Sequence, residues 1–206
     1  MRLKHVKGAE KKVEESPYVI KDIKKGEFNK YFKNNNPIHL EIGMGKGDFI
    51  IEKAKQNPNI NFIGLEKQAS VLIRALEKQE VLKLENLYFL NKDAKDINEI
   101  FEKEIDTLYL NFSDPWPKER HAKRRLTSDV FLEKYETIFK DIKHIEMKTD
   151  NKRLFEYSIK TLTNNNYKII DIRLNLHEDD IDNIETEYER KFSSKGFPIY
   201  KIEVSK

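Results

Sequence analysis

Ser113-Asp114-Pro115-Trp116-Pro117-Lys118 brings a carboxylate, two prolines, a cation and the chain's only tryptophan into six consecutive positions. The prolines fix φ and remove two backbone donors, so this stretch reads as a stiff loop. An acid and an indole held on such a loop suit a flat heterocycle, with the indole stacked on the ring and the acid orienting amino groups beside it. The blander reading is a rigid turn with Trp116 packed into the core. Directly afterwards, Lys118-Glu119-Arg120-His121-Ala122-Lys123-Arg124-Arg125 sets five Lys/Arg against one Glu. A solvated loop can look like this, but a cationic run beside a candidate site reads better as a binder of phosphates.

A second constellation lies upstream. Glu41-Ile42-Gly43-Met44-Gly45-Lys46-Gly47 has the form of a strand end followed by a glycine turn into a helix, where a ligand can approach the backbone closely. Glycines in such turns often serve sterics alone. Glu66, however, lies 23 residues past Gly43, near the offset at which an acid accepts hydrogen bonds from ribose hydroxyls. Two features favour S-adenosylmethionine over a dinucleotide. Glu41 before the turn suits a cationic amino-acid portion and repels a second phosphate. Asp48 stands where the last glycine of G-x-G-x-x-G would be, an unfavourable neighbour for a pyrophosphate.

These residues need elements to position them. Ile38–Ile42, Asn61–Leu65, Leu87–Leu90, Thr107–Phe112 and His144–Lys148 are apolar runs of strand length, with helical patterns between them. The spacing predicts helices carrying Phe49, Ile50 and Ala54, then Val71, Leu72, Ala75 and Leu76, then Phe131, Tyr135, Ile138 and Phe139, then Phe155, Ile159 and Leu162. Thr127 and Asp150 are expected as N-caps of the last two. Tyr167–Leu176 and Pro198–Val204 read as closing strands. The alternation predicts an α/β fold with a doubly wound, mainly parallel sheet. Ligands of such sheets bind outside the carboxyl ends of the strands, and five successive strands end in or run into an acid: Glu41, Glu66, Asp93, Asp114 and Asp150. Residues 34–206 are expected to form this domain. Residues 1–33 read as a basic arm, mobile or conditionally ordered up to about Ser16, with Phe28, Tyr31 and Phe32 in a short amphipathic turn.

Composition sets limits. The net charge is +3 with 36% of residues charged, so local basic patches matter more than the total. There are no cysteines, which removes disulfides, thiolate nucleophiles and cysteine metal sites. No apolar run approaches the length of a bilayer span, and the first residues lack a signal peptide's apolar stretch, so a cytoplasmic protein with no membrane partner is expected. The histidines, His5, His39, His121, His144 and His177, show no metal-ligand spacing, and no metal is expected. Neither a Ser-His-Asp order nor a phosphate-binding P-loop appears. Three other classes compete: a nicotinamide oxidoreductase, a methyltransferase acting on an exocyclic amine, and a non-catalytic RNA-binding module. The second usually carries Asn/Asp-Pro-Pro-aromatic where this chain has Asp114-Pro115-Trp116-Pro117. The third has no need of acids at five strand ends.

Four stretches together resemble the bacterial tRNA (guanine-N7-)-methyltransferases: Asn111–Lys118, Arg120-His121 with Lys123–Thr127, Lys148-Thr149-Asp150-Asn151, and Thr186–Phe192. The likeness runs from about Ile38 to Glu203. It implies a Rossmann-like methyltransferase fold, S-adenosyl-L-methionine as cofactor and the variable-loop guanine of tRNA as substrate, in a monomer or homodimer. By that resemblance Glu41, Gly43, Gly45, Glu66, Asp93 and Asp114 contact the cofactor, and Asp114 is also the active-site acid. Lys118, Asp150, Thr186, Glu187, Tyr188 and Glu189 fall to the substrate. Arg120, His121, Lys123, Arg124 and Arg125 fall to the RNA. Guanine N7 bears a lone pair and no proton, so Asp114 is expected to orient rather than to act as a base. Asp150 and Glu189 are expected to accept hydrogen bonds from guanine.

Overall fold

A computed structural model describes residues 6–178 and 183–206. Strands β1 (Ile38–Ile42), β2 (Asn61–Leu65), β3 (Leu87–Leu90), β4 (Ile105–Asn111), β5 (Phe139–Thr149), β6 (Lys168–Arg173) and β7 (Tyr200–Ser205) form one sheet in the order β3-β2-β1-β4-β5-β7-β6. The first five run parallel, and β7 lies antiparallel between β5 and β6. The mainly parallel, doubly wound expectation is borne out. β2 is buried along its whole length and β1 at all but one position, because helices cover both faces.

The period-two alternation of the strands divides two cores. On one face Leu40, Leu108, Leu110, Ile145 and Ile202 pack with Phe131 and Tyr135 of α6 (Asp129–Ile138) and Phe155 and Leu162 of α7 (Lys152–Asn164). The same core holds Ile97 and Ile100 of α5 (Ile97–Ile100) and Phe28 and Phe32 around α2 (Asn29–Phe32). On the other face Phe62, Phe89 and Tyr109 pack with Phe49 and Ile50 of α3 (Asp48–Gln56) and Leu72 and Leu76 of α4 (Ala69–Leu82).

Within the stretch expected to be mobile or conditionally ordered, Ala9–Glu15 form a helix α1 against α4. Val6, Ala9 and Val13 share one face at helical spacing, and burial of Ala9 and Val13 offsets the cost of ordering it. His5 and the residues before it lie outside the described residues.

Four local expectations are corrected. Ser128, not Thr127, stands at the N-cap position of the helix after the basic run, with its hydroxyl donating to the Lys123 carbonyl rather than capping; the Thr127 hydroxyl is buried and bonds Ser158 Oγ on α7 at 2.7 Å. Asn151, not Asp150, caps α7, its side-chain oxygen accepting the Leu154 N–H at 2.9 Å. β5 begins at Phe139, five residues before His144, because Phe139 pairs with Ile105 across a shift in register. The closing strands are also shorter than expected, since the chain leaves the sheet after Arg173 and rejoins it at Tyr200. Between them lies α8 (Glu187–Ser193), a helix the acidic-aromatic pattern of that stretch did not foretell. Among the described residues no helix is long and apolar enough to cross a membrane.

Candidate active site

The strand order reverses between β1 and β4, and the crevice where such sheets bind ligands opens at their carboxyl ends. Two hollows meet there. One, of about 640 Å³, is lined by Glu66, Asp93, Ser113, Asp114, Trp116 and Lys123 among others. The second, of about 400 Å³, is lined by Glu41, Gly45, Asn111, Thr186 and Tyr188 among others. Gly43 and Phe112 border both, so the two are one bent cleft.

On the β1–β3 side, the turn after β1 holds Gly43 and Gly45 at positive φ, with nothing within 4 Å of where a Cβ would stand. The space above the turn is open. Gly47 is different: its positive φ starts α3, and an added Cβ would lie 2.8 Å from Ala75 Cβ, so glycine there serves packing against α4. Glu66 closes the turn from β2, one oxygen accepting the Gly45 N–H at 3.2 Å and the other the Gln68 N–H at 2.9 Å. Each oxygen keeps a lone pair for a further donor such as a ribose hydroxyl. Burial raises the pKa of Glu66, opposed by these amide bonds. Asp93 caps a short 3₁₀ turn through the Lys95 N–H and faces the same hollow.

Glu41 is the most perturbed acid of the cleft. It is 1% exposed, and Oε1 accepts a 2.8 Å hydrogen bond from Asn111 Nδ2 while Oε2, fully buried, has no partner among the described residues. Burial drives its pKa to about 7, with Asn111 and Lys148 pulling the other way. An orphaned carboxylate oxygen on a cleft wall costs free energy until a donor reaches it. The ammonium of an amino-acid-like ligand fits that demand. Together with the open glycine turn and Glu66, these residues fit S-adenosylmethionine. The case against a dinucleotide from Asp48 is weaker than the sequence suggested, because Asp48 forms an ion pair with Lys78 and its charge is compensated.

On the other side, Asp114 is exposed and, among the described residues, has no side-chain hydrogen bond or ion pair. It lies between two non-glycine residues in the left-handed region, Phe112 at φ 50° and Trp116 at φ 41°. Such backbone persists only where its surroundings over-determine it. Arg125 supplies the restraint. Its side chain is 7% exposed, with Nε and Nη2 donating to the carbonyls of Pro115 and Trp116, both at 3.2 Å, and Nη2 also 3.0 Å from the Glu119 carboxylate. The guanidinium lies 4.2 Å over the Tyr157 ring of α7. Its donors point into the protein, unlike those of the exposed Arg120, Lys123 and Arg124. Trp116 is neither buried nor bare: the Arg124 guanidinium lies 4.8 Å over one face and His121 is tilted against it. Lys118 is exposed at the start of the cationic stretch.

α8 closes the end of the cleft. Thr186 and Glu189 form a capping box, and Glu189 is fully buried. Its carboxylate meets Lys148 Nζ at 3.0 Å, Asn183 Nδ2 at 2.7 Å and His177 Nε2 at 3.2 Å. Glu189 therefore anchors the helix rather than facing a ligand. Lys148 also donates to Asn183 Oδ1 and the Ile184 carbonyl, fixing the chain that enters α8. Glu187 pairs with Lys46 at the glycine turn, and Tyr188 reaches Asp150, 3.5 Å from its hydroxyl. Asp150 does not cap α7; it lies beside Tyr188, outside the lining of either hollow. Asn111 and Lys148, adjacent partners across β4 and β5, were quoted in the sequence only as parts of motifs. No sequence pattern set them apart, since β5 carries several other charged residues and the pairing of the two strands is what brings them together. One cluster lies apart from the cleft: His144, Glu146 and Glu203 offer ligand atoms within 4.8 Å of one another, where strand pairing rather than sequence spacing brings them together. Lys201 already sits 3.7 Å from Glu146 and 3.2 Å from Glu203.

Comparison with known proteins agrees with this architecture. A family model described as "Putative methyltransferase" matches residues 35–202. The tRNA (guanine-N(7)-)-methyltransferase of Lachnoclostridium phytofermentans is 49% identical over 207 residues, covering 98% of this chain and 97% of that protein. Its counterpart from Listeria monocytogenes is 50% identical over 208 residues, with the same shares covered. Among solved structures, an antibiotic-related methyltransferase aligns with a TM-score of 0.68 at 19% identity, over 91% of this chain and 96% of its own, a likeness of fold.

Proposed function

The chain belongs to the tRNA (guanine-N(7)-)-methyltransferase family, and on that premise we propose that it methylates N7 of the variable-loop guanine of tRNA with S-adenosyl-L-methionine as donor. The observation that carries the reading is the bent cleft itself. An unsatisfied buried carboxylate and an open glycine turn lie on one side of Gly43 and Phe112, and an unpaired acid on a stiff loop lies on the other.

S-adenosylmethionine, when bound, supplies an electrophilic methyl group on a cationic sulfur. Glu41 would take its ammonium and Glu66 its ribose hydroxyls, and Asp93 and the turn at Gly43 and Gly45 would complete the seat. Guanine N7 has an in-plane lone pair and no proton to lose. One N–C bond forms as one S–C bond breaks, leaving a methylated base that carries the positive charge and a neutral thioether. No base is needed, and the chain's task is alignment and exclusion of water. Asp114 orients the reactants and favours the charge that appears on the ring. Asp150 accepts hydrogen bonds from guanine, assisted by Thr186 and Tyr188. Glu189 supports that wall from behind through Lys148. Lys118, Arg120, His121, Lys123 and Arg124 face the phosphates, and Arg125 holds the loop that carries Asp114.

The test is methyl transfer from labelled S-adenosylmethionine to unmodified tRNA, followed by chemical cleavage at 7-methylguanine. Label with cleavage in the variable loop is expected. Label without cleavage would assign another base or atom, and no label would end the reading.

A further inference from the structure

Four aromatic rings run in series from the candidate active site to the surface. Phe112, next to the Asp114 loop, lies 5.1 Å from Tyr188 of α8. Tyr188 stacks on Phe192 with centroids 4.2 Å apart and planes 19° from parallel, and Phe192 lies 5.9 Å from Phe197. The inner three line the cleft, while Tyr188 and Phe197 are 44% and 51% exposed. Burial of Glu189 fixes Tyr188 at the next position along α8, and Gly196, at φ 78°, turns the chain so that Phe197 returns to Phe192.

Half-exposed rings in open water are unfavourable unless something covers them. The surroundings indicate what does. Lys191 and Lys195 flank the rings, both exposed and, among the described residues, without an ion pair. Lys195 Nζ lies 5.6 Å from the Phe192 ring centroid. Aromatic faces bordered by unpaired cations are the surface that unstacked nucleobases and their phosphates select, since every base has a π-face and every linkage a negative charge. An aliphatic protein partner would not call for the lysines. The row is also continuous with the cleft, so a strand entering to place one guanine near Asp114 must leave across it.

We propose that Phe197, with Phe192 and Tyr188 behind it, is a stacking site for a nucleotide adjacent to the target guanine, and that Lys191 and Lys195 hold its phosphate. The site rests on the tRNA reading above and extends it from Tyr188, which that reading uses, to Phe192, Phe197, Lys191 and Lys195. It converts a base turned out of its own stack into one stacked on protein.

The experiment uses full-length protein and a tRNA carrying 2-aminopurine at either neighbour of the target guanine, a base whose fluorescence is quenched when it stacks. Quenching at one position is expected with the parent protein and with Phe197→Trp, and its loss with Phe197→Ala. In steady state Phe197→Ala should raise KM for tRNA roughly tenfold while kcat at saturation stays within about twofold, the loss of a single stacked base. Circular dichroism and the S-adenosylmethionine dissociation constant of the variant confirm that it has folded. Methylation of guanine N7 by a parent protein that quenches neither position would overturn the stacking site alone. No methylation at all would overturn the tRNA reading, and the site with it. If Phe197→Ala instead changes the sedimentation of the free protein and leaves tRNA affinity unaltered, the row is a contact between copies of this chain and the proposal is wrong.

Discussion

Replacing Arg125 by Ala separates two roles that a cation in a basic run can have. Two charge-assisted hydrogen bonds to the Pro115 and Trp116 carbonyls are each worth about 1.5 kcal/mol. The stacking on Tyr157, desolvated on the protein side, adds about 1–2 kcal/mol. The contact with Glu119, whose side chain is 84% exposed, adds close to nothing. The restraint therefore totals about 4–5 kcal/mol, and it opposes strain of about 1–3 kcal/mol at Trp116. Once it is removed, the loop relaxes and part of that strain is recovered. The net loss is about 2 kcal/mol of stability, lowering Tm by about 4–8 °C for a domain of this size. Catalysis should suffer more, because Asp114 rides on the released loop and a displacement on the order of 1 Å costs about a hundredfold in rate.

The assay is single-turnover methyl transfer at saturating tRNA, run beside tRNA affinity measured over a range of salt. For Arg125→Ala the rate should fall about a hundredfold while the slope of log Kd against log salt stays that of the parent. Added guanidinium should restore part of the rate. Lysine, which cannot span two carbonyls, should not. Arg124→Ala should behave oppositely, reducing the slope by about 0.7–0.9 with a modest change in rate at saturation. A slope reduced by that amount for Arg125→Ala, with its saturated rate intact, would falsify the loop role and make Arg125 a phosphate contact.

Three further outcomes follow from the same geometry. Glu41→Gln should weaken S-adenosylmethionine binding by about ten- to a hundredfold, the worth of a charged hydrogen bond, as read by calorimetry. In the parent, affinity should drop as pH falls through about 7, since the protonated acid no longer attracts a cation. The same raised pKa means that the folded chain binds more protons than the unfolded one between the ordinary carboxylate range and pH 7. Glu41 therefore subtracts stability as pH rises through that window, and Glu41→Gln should flatten that part of a Tm-against-pH curve; an unchanged curve would exclude Glu41 as its source. Glu189→Gln leaves Lys148 buried without its counter-charge and should cost about 3–5 kcal/mol in chemical denaturation, a wild-type-like midpoint being the result that rejects the anchoring role. Asp150→Ala should reduce use of tRNA by about 1–3 kcal/mol in kcat/KM while S-adenosylmethionine still binds, and loss of cofactor binding instead would move Asp150 out of the substrate site.

The strands, their order of appearance and most inward-facing residues were legible in the sequence because apolar periodicity is a local signal. The caps were less legible. Thr127 and Asp150 are good capping residues one position too early: the Thr127 hydroxyl is taken up by Ser158 of α7, and Asn151 rather than Asp150 accepts the Leu154 N–H. At the site, residue type identified the acids but not their state. Asp48, Glu66 and Asp114 look alike in sequence, yet one is ion-paired, one is tied by two amides and one is free. The adjacent Arg124 and Arg125 differ in the same way, since only Arg125 is drawn inward. That distinction depends on Tyr157, more than thirty positions away, and on carbonyls aimed at it by a loop conformation that no residue pattern specifies.

Glu41 and α8, which line the same hollow of the cleft, are joined by a short polar bridge. Asn111 ends β4 and donates to Glu41 at the end of β1, while its partner across the sheet, Lys148, ends β5 and holds Glu189 of α8. The carboxylate proposed for the donor and the helix proposed for the substrate are thus joined through adjacent positions of one sheet, with Phe112 and the Asp114 loop following directly from Asn111. A cation reaching Glu41 would satisfy its orphaned oxygen and hold Glu41 and Asn111 in place, and through the pairing of Asn111 with Lys148 it would steady the side chain that anchors Glu189. Binding on the donor side should therefore tighten α8, so that slower amide exchange in Glu187–Ser193 accompanies S-adenosylmethionine binding in the parent. Glu41→Gln keeps the shape of the bridge and lacks the charge. If exchange in that helix slows equally in the variant once donor is saturating, the coupling does not run through this bridge.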